Sequence, residues 1–152
     1  RLVVVGRGNE GKYRSLASSL GISDSVMFAG AHAEGVEAFY LASDLFMMLS
    51  AFDTFGMVVL EAMASRLPVI VSANVGAKDL VEEGANGFVL PDRLDADAAA
   101  GKILLLLDAK RRATMGEAGC RTAATCSWER LAGEVGKVYG EAIAEKKRAS
   151  GR

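Results

Sequence analysis

The sequence predicts an α/β fold in which a parallel sheet is covered by helices on both faces. Two observations carry that prediction. Short apolar runs without a polar break, at residues 2–5, 45–49 and 69–71, alternate along the chain with segments of helical periodicity. Strands that are apolar on both sides belong to sheets buried on both faces, and parallel strands need crossover connections that supply the covering helices.

Each element follows from its own pattern. Residues 2–5, Leu-Val-Val-Val, read as a fully buried strand. Tyr13, Leu16, Ala17 and Leu20 then fall at i, i+3, i+4 and i+7, one face of a helix that stops at Gly21. Residues 26–28 give a short strand closed by Gly30, and Val36, Phe39 and Tyr40 give a short helix before the strand at 45–49. After the loop around Asp53, residues 56–65 are helical and almost wholly apolar, which predicts a helix enclosed by its surroundings. Pro68 ends it. A strand at 69–71, a helix at 78–83 and a strand at 88–90 complete the alternation. Three further helices close the chain, at 95–108, at about 111–124 and from Ser127 onward, the last with Trp128, Leu131, Val135, Val138 and Tyr139 on one face. The architecture is Rossmann-like. Residues 1–144 read as one domain and residues 145–152, EKKRASGR, as a solvated tail.

Bulk composition narrows the function classes. At 152 residues the chain is long enough for a domain with a substantial core. Its 18 Lys and Arg against 19 Asp and Glu leave a net charge of −1, which gives no electrostatic basis for binding nucleic acid or an anionic membrane. Cys120 and Cys126 have no Cys or His companions at metal-ligand spacing, and His32 is the sole histidine. Neither a disulfide nor a metal site is expected, and the composition suits a reducing, cytoplasmic compartment. The apolar run at 103–107 is far short of the roughly 18 residues that a membrane span requires. The chain opens abruptly into a strand, as a piece of a longer protein would.

Residues 6–11, Gly-Arg-Gly-Asn-Glu-Gly, spell G-x-G-x-x-G between a strand and a helix. That is where a dinucleotide-binding turn belongs. The second half of the fingerprint fails. A ribose-binding acid should end the next strand about 20 residues on, but that strand ends Phe28-Ala29-Gly30, and Asp24 precedes it at the wrong edge. Gly11 is followed by Lys12 and Tyr13, not by the small residues that tight helix–sheet packing needs. An NAD(P) site is the weakest of the readings considered.

Residues 50–72, SAFDTFGMVVLEAMASRLPVIVS, say more. Asp53 lies in a loop at the C-terminal end of a strand, the edge where open α/β sheets bind ligands. A helix opening near Gly56 presents free N–H groups and a positive dipole end to an anion such as a diphosphate, and glycine lets the backbone come close. Glu61 is an ionisable residue in an otherwise apolar helix and needs donors, which a ribose diol would supply. Taken alone, Asp53 is more simply a capping acid and Glu61 an acid satisfied by neighbouring backbone.

A resemblance reverses that balance. Residues 53–64, DTFGMVVLEAMA, resemble the E-x7-E signature of retaining glycosyltransferases of the GT-B fold, group 1 and family four, whose usual form is E-x-F-G-x-x-x-x-E-A. Residues 3–30, 39–50, 67–92 and 127–139 are similar, in order, to successive pieces of that family's C-terminal domain. The run at 5–22 is similar to the versions in lipopolysaccharide-core glucosyltransferases and phosphatidylinositol mannosyltransferases.

In that family the C-terminal domain binds a nucleotide-sugar donor and the N-terminal domain binds the acceptor. The resemblance therefore implies hexose transfer from a donor such as UDP-glucose or GDP-mannose, with retention at the anomeric carbon and without a cofactor or bound metal. It implies that Glu61 bonds the ribose, that the backbone of Phe55, Gly56, Met57 and Val58 meets the diphosphate and sugar, and that Asp53 touches the transferred sugar. Gly30, Ala31 and His32 would lie along the base, and Gly6 and Arg7 would line the cleft. The acceptor would be a glycan or a lipid-linked molecule used in cell-envelope polysaccharide synthesis, reached through an N-terminal domain absent from this sequence, with the whole protein at the inner membrane face. Two departures stand out. Asp53 replaces the usual glutamate, and the family's G-R…K diphosphate clamp belongs to a strand and loop upstream of residue 1, for which Arg7 and Lys12 are no match. A non-catalytic nucleotide-binding module of the same fold is the main alternative.

Overall fold

The structure, a computed structural model, describes residues 1–150 and falls into two compact units, Arg1–Phe39 and Tyr40–Arg152. In the first unit, strand β1 (Leu2–Val5) pairs in parallel with β2 (Val26–Gly30), with Leu2 opposite Val26 and an irregularity between Val4 and Val5. Helix α1 (Glu10–Ser19) connects them, followed by a 3₁₀ turn at Ser23–Ser25. Helix α1 opens before Tyr13 because the Asn9 side chain accepts the Lys12 N–H at 3.1 Å and caps it.

This unit is more open than its pattern predicts. The four residues of β1 are 37–47% exposed, not fully buried, and of the expected face of α1 only Ala17 is buried. The physical reason is partner number. Within this unit strand β1 bonds to β2 alone, and α1 is its one long helix.

Helix α2 (Glu37–Leu41) spans the boundary between the units. The second unit holds β3 (Phe46–Met48), α3 (Met57–Ala64), β4 (Val69–Ser72), a 3₁₀ turn at Gly76–Leu80, β5 (Gly87–Leu90), and helices α4 (Ala96–Leu105), α5 (Ala109–Ala124) and α6 (Trp128–Ser150). Strands β3, β4 and β5 run parallel in that order, with Phe46 opposite Val69 and Val69 opposite Gly87. Each unit thus holds its own parallel sheet, of two strands in the first and three in the second.

Burial in this unit follows strand order. Val69 and Val71 alternate with Ile70 across β4, and all three are 0% exposed, so both faces of the central strand are covered. Ile70, Phe88 and Leu90 pack with Ala99, Leu106 and Met115 from the helices. Helix α5 meets the end of α3 at backbone distance: a Cβ on Gly116 would lie 2.0 Å from the Arg66 carbonyl oxygen, and Gly119 packs on Met63.

Three features differ from expectation for local reasons. The helix expected at 78–83 is the shorter 3₁₀ turn, because the Asn86 side chain takes the Glu82 N–H and donates to Leu80 O, which stops the helix. Helix α3 is enclosed on one side only, with Val59, Ala62 and Met63 buried and Met57, Val58 and Glu61 exposed. Helix α6 continues to Ser150, so residues 145–150 are exposed but helical; residues 151–152 lie outside the described residues. Its expected apolar face, from Trp128 to Tyr139, is exposed, and no helix among the described residues is long and apolar enough to cross a membrane.

Candidate functional site

The centre of the second unit's site is a pair of loops zipped together at the C-terminal ends of β3 and β4. Ser72, buried at the end of β4, donates its hydroxyl to Ser50 O at 2.7 Å and draws in the loop that follows β3. Asp53 then forms a parallel bridge with Val75: its N–H donates to Asn74 O, and its carbonyl accepts the Gly76 N–H, both at 3.1 Å. One step on, Phe55 O accepts the Ala77 N–H at 2.5 Å.

The closeness of these loops dictates two glycines. A Cβ on Gly76 would stand 2.2 Å from Thr54 O, which no side chain can occupy. Gly56 has φ +89°, and a Cβ there would meet Val75 Cγ1 at 2.8 Å. Gly56 is also the N-cap of α3, without a side-chain cap. The opening N–H groups of that helix, at Met57 and Val58, have no intrahelical acceptor and mark its positive end. Beside them, Asp53 Oδ1 accepts the Phe55 N–H at 3.1 Å, a local turn that fixes the carboxylate in a half-buried position. An anion can therefore settle on backbone donors at the start of α3, with one acid close to it in sequence.

Glu61 lies farther along α3, with its side chain exposed at the surface. The hydroxyl of Tyr40, itself only 9% exposed, donates to Glu61 Oε2 at 2.8 Å, and the Tyr40 ring meets Phe46 edge-on at 5.9 Å. Burial, and then the bond and charge of Glu61, push the Tyr40 phenol well above the ordinary tyrosine range. It is therefore a standing donor. Sequence reasoning missed both Tyr40 and Gly76. Tyr40 read as one of three apolar residues on a short helix, and its acceptor lies 21 positions away. Gly76 was legible only as part of a segment similar to the family.

The first unit holds the other expected residues. Gly6 and Gly30 meet directly, the Gly6 N–H donating to Gly30 O at 2.8 Å, both with positive φ. His32 donates from Nε2 to Ala29 O at 2.9 Å and meets the Phe39 ring at a 56° tilt with centroids 4.8 Å apart, while Arg7 and Ala31 are exposed. The strand-end glycines thus come together. Gly8 and Gly11 do not behave as a dinucleotide fingerprint requires: a Cβ on Gly8 would meet nothing, and one on Gly11 only Asn9 Oδ1 at 3.8 Å. The close helix–strand contact of that motif is absent from this loop.

The family described as glycosyl transferases group 1 matches residues 1–122. The chain belongs to the group 1 glycosyl transferases. A D-inositol 3-phosphate glycosyltransferase from Salinispora tropica is 39% identical over 132 residues, covering 86% of this chain and 27% of that relative. Among solved structures, sucrose-phosphate synthase from Thermosynechococcus elongatus superposes with TM-score 0.83 at 28% identity, over 95% of this chain and 39% of the other. Anabaena Alr3699/HepE in complex with UDP-glucose gives TM-score 0.70 at 28% identity, over 81% of this chain and 35% of the other. The chain thus spans between about a quarter and two fifths of these three proteins. Its α/β architecture is that of a GT-B C-terminal, Rossmann-like domain.

Proposed function

We propose that this chain is the donor-binding part of a retaining glycosyltransferase that moves a hexose from a nucleoside diphosphate sugar to an acceptor. The observation that carries the reading is the glycine-zipped turn, which holds Asp53 and the unpaired N–H groups of α3 in one rigid arrangement. In this reading the diphosphate sits at the positive end of α3, where fixed donors stabilise the charge that grows as the leaving group departs. Glu61 accepts the ribose hydroxyls, and Asp53 faces the sugar.

HepE was solved with UDP-glucose, so UDP-glucose is the donor to try first. The relatives' names carry D-inositol 3-phosphate, so a phosphorylated polyol is the acceptor class we favour over the envelope glycan that the sequence resemblance implied. Acceptor binding is assigned to the rest of such a protein.

Titration of UDP, GDP and ADP into the chain and into Glu61→Ala tests the reading. We expect one nucleotide to bind weakly and Glu61→Ala to reduce that affinity about tenfold, the value of roughly one hydrogen bond to a charged acceptor. Equal affinities would remove Glu61 from the ribose site. Sugar transfer by the 152-residue chain alone would overturn the division of labour between donor and acceptor parts.

One observation favours a second reading, a nucleotide-binding module without transfer. Asp53 is shorter than the family's glutamate and commits Oδ1 to the Phe55 N–H. A transfer assay on the whole protein separates the two readings: loss of turnover in Asp53→Asn with nucleotide affinity kept supports catalysis, and nucleotide binding without turnover in the wild-type protein supports the module.

A further inference from the structure

We infer that Tyr40 is a positioning residue for Glu61: its buried hydroxyl holds one carboxylate oxygen and leaves the other to accept a ribose hydroxyl. The inference rests on the reading of Glu61 as the ribose acceptor and goes beyond it by naming what orients that acid. The two side chains come from different elements, α2 and α3, and meet at 2.8 Å.

The pairing is asymmetric. A buried phenol needs an acceptor, and a backbone carbonyl would serve that purpose. Here it is matched instead with an exposed acid that takes part in none of the ion pairs among the described residues. An exposed glutamate with no partner samples many rotamers, and a ligand that requires one of them must bear the cost of ordering it. Tyr40 removes that cost in advance. Its ring is itself fixed by burial and by Phe46, so the hydroxyl is a rigid reference point.

The phenol also remains a donor while Glu61 is ionised, because burial and the neighbouring carboxylate both favour its neutral form. With Oε2 engaged, the carboxylate offers its remaining lone pairs in one plane. That plane suits the paired hydroxyls of a ribose better than a single hydroxyl, so Tyr40 should sharpen discrimination between ribose and 2′-deoxyribose.

The test titrates UDP and 2′-deoxy-UDP into the wild-type chain, Tyr40→Phe, Glu61→Ala and the double variant, with circular dichroism to confirm folding. The expected result is a loss in UDP affinity of up to about tenfold in Tyr40→Phe. The ratio of UDP to 2′-deoxy-UDP affinity should fall toward one, and the double variant should bind no more weakly than Glu61→Ala. Glu61→Asp keeps the charge but withdraws it from Tyr40 without touching the buried ring, and should lose the same discrimination if Tyr40→Phe does not fold. An unchanged ratio in Tyr40→Phe, or in Glu61→Asp where that variant stands in, alongside a collapsed ratio in Glu61→Ala would overturn the role of Tyr40 and leave the ribose reading standing. An unchanged Glu61→Ala would overturn both.

Discussion

Two loops of this chain share a plan and differ in what holds them. Residues 6–11 follow β1 and lead into α1; residues 53–56 follow β3 and lead into α3. Each leaves an apolar strand and uses glycine. In the first loop Gly8 has open space around it, a Cβ on Gly11 would make only an ordinary contact, and α1 is capped by an ordinary Asn9 side chain. In the second, Gly56 and its neighbour-loop partner Gly76 have no room for a single carbon, and α3 begins without a side-chain cap. Glycine spacing in sequence is therefore a poor guide to where a ligand loop is built. Contact with a second loop is the better guide, and it is invisible in a local motif.

The largest effect that tests this contrast is at Gly76. A methyl group there must push against the Thr54 carbonyl and the Phe55 backbone, neither of which yields without opening the Asp53–Val75 bridge. Gly76→Ala is expected to cost about 3 kcal/mol in urea unfolding and to abolish nucleotide binding. Gly56→Ala follows at about 2 kcal/mol, from the positive φ together with the collision with Val75 Cγ1, a side chain that can shift a little. Wild-type stability in either variant would mean that the two loops are not zipped in solution.

How much of this was legible beforehand depends on distance along the chain. The strand–helix order was readable because apolar runs and 3.6-residue periodicity are local, and α4 starts where the pattern puts it, capped by Asp95, whereas Asp108, read as the end of that helix, instead caps the start of α5 through its side chain. Asp53 was singled out by its loop at the C-terminal end of a strand, Glu61 by being ionisable in an apolar helix, and both by the resemblance of residues 53–64 to the family signature. Burial was less legible. Leu2 to Val5 look the same whether a strand has one neighbour or two, and only pairing shows that β1 has one within its unit. Tyr40 and Gly76 were missed because each is defined by a partner about twenty residues away, Glu61 for one and Thr54 for the other.

A smaller effect separates Tyr40 from an ordinary core tyrosine. Its folded phenol holds its proton above the ordinary range, so the unfolded chain releases that proton first as pH rises past about 10. The associated stability is complete below that point and is lost progressively above it. Thermal melts between pH 9 and 12 should show wild type losing stability more steeply than Tyr40→Phe. Parallel slopes would place the hydroxyl in water and dissolve the contact with Glu61.

The smallest effect is the most discriminating for the first loop. Gly11 is the second residue of α1, has no positive φ, and would place a Cβ 3.8 Å from Asn9 Oδ1, an ordinary contact. Alanine lowers the backbone entropy of the unfolded chain and favours helix, so Gly11→Ala should be neutral or stabilising by up to about 0.5 kcal/mol, read as slower hydrogen exchange of the α1 amides. A dinucleotide-binding turn predicts the opposite sign, because its third glycine lets helix and strand backbones touch. Faster exchange in α1 after Gly11→Ala would revive the dinucleotide reading, whereas protection held or improved would leave the glycine spacing of this loop without a ligand to explain it.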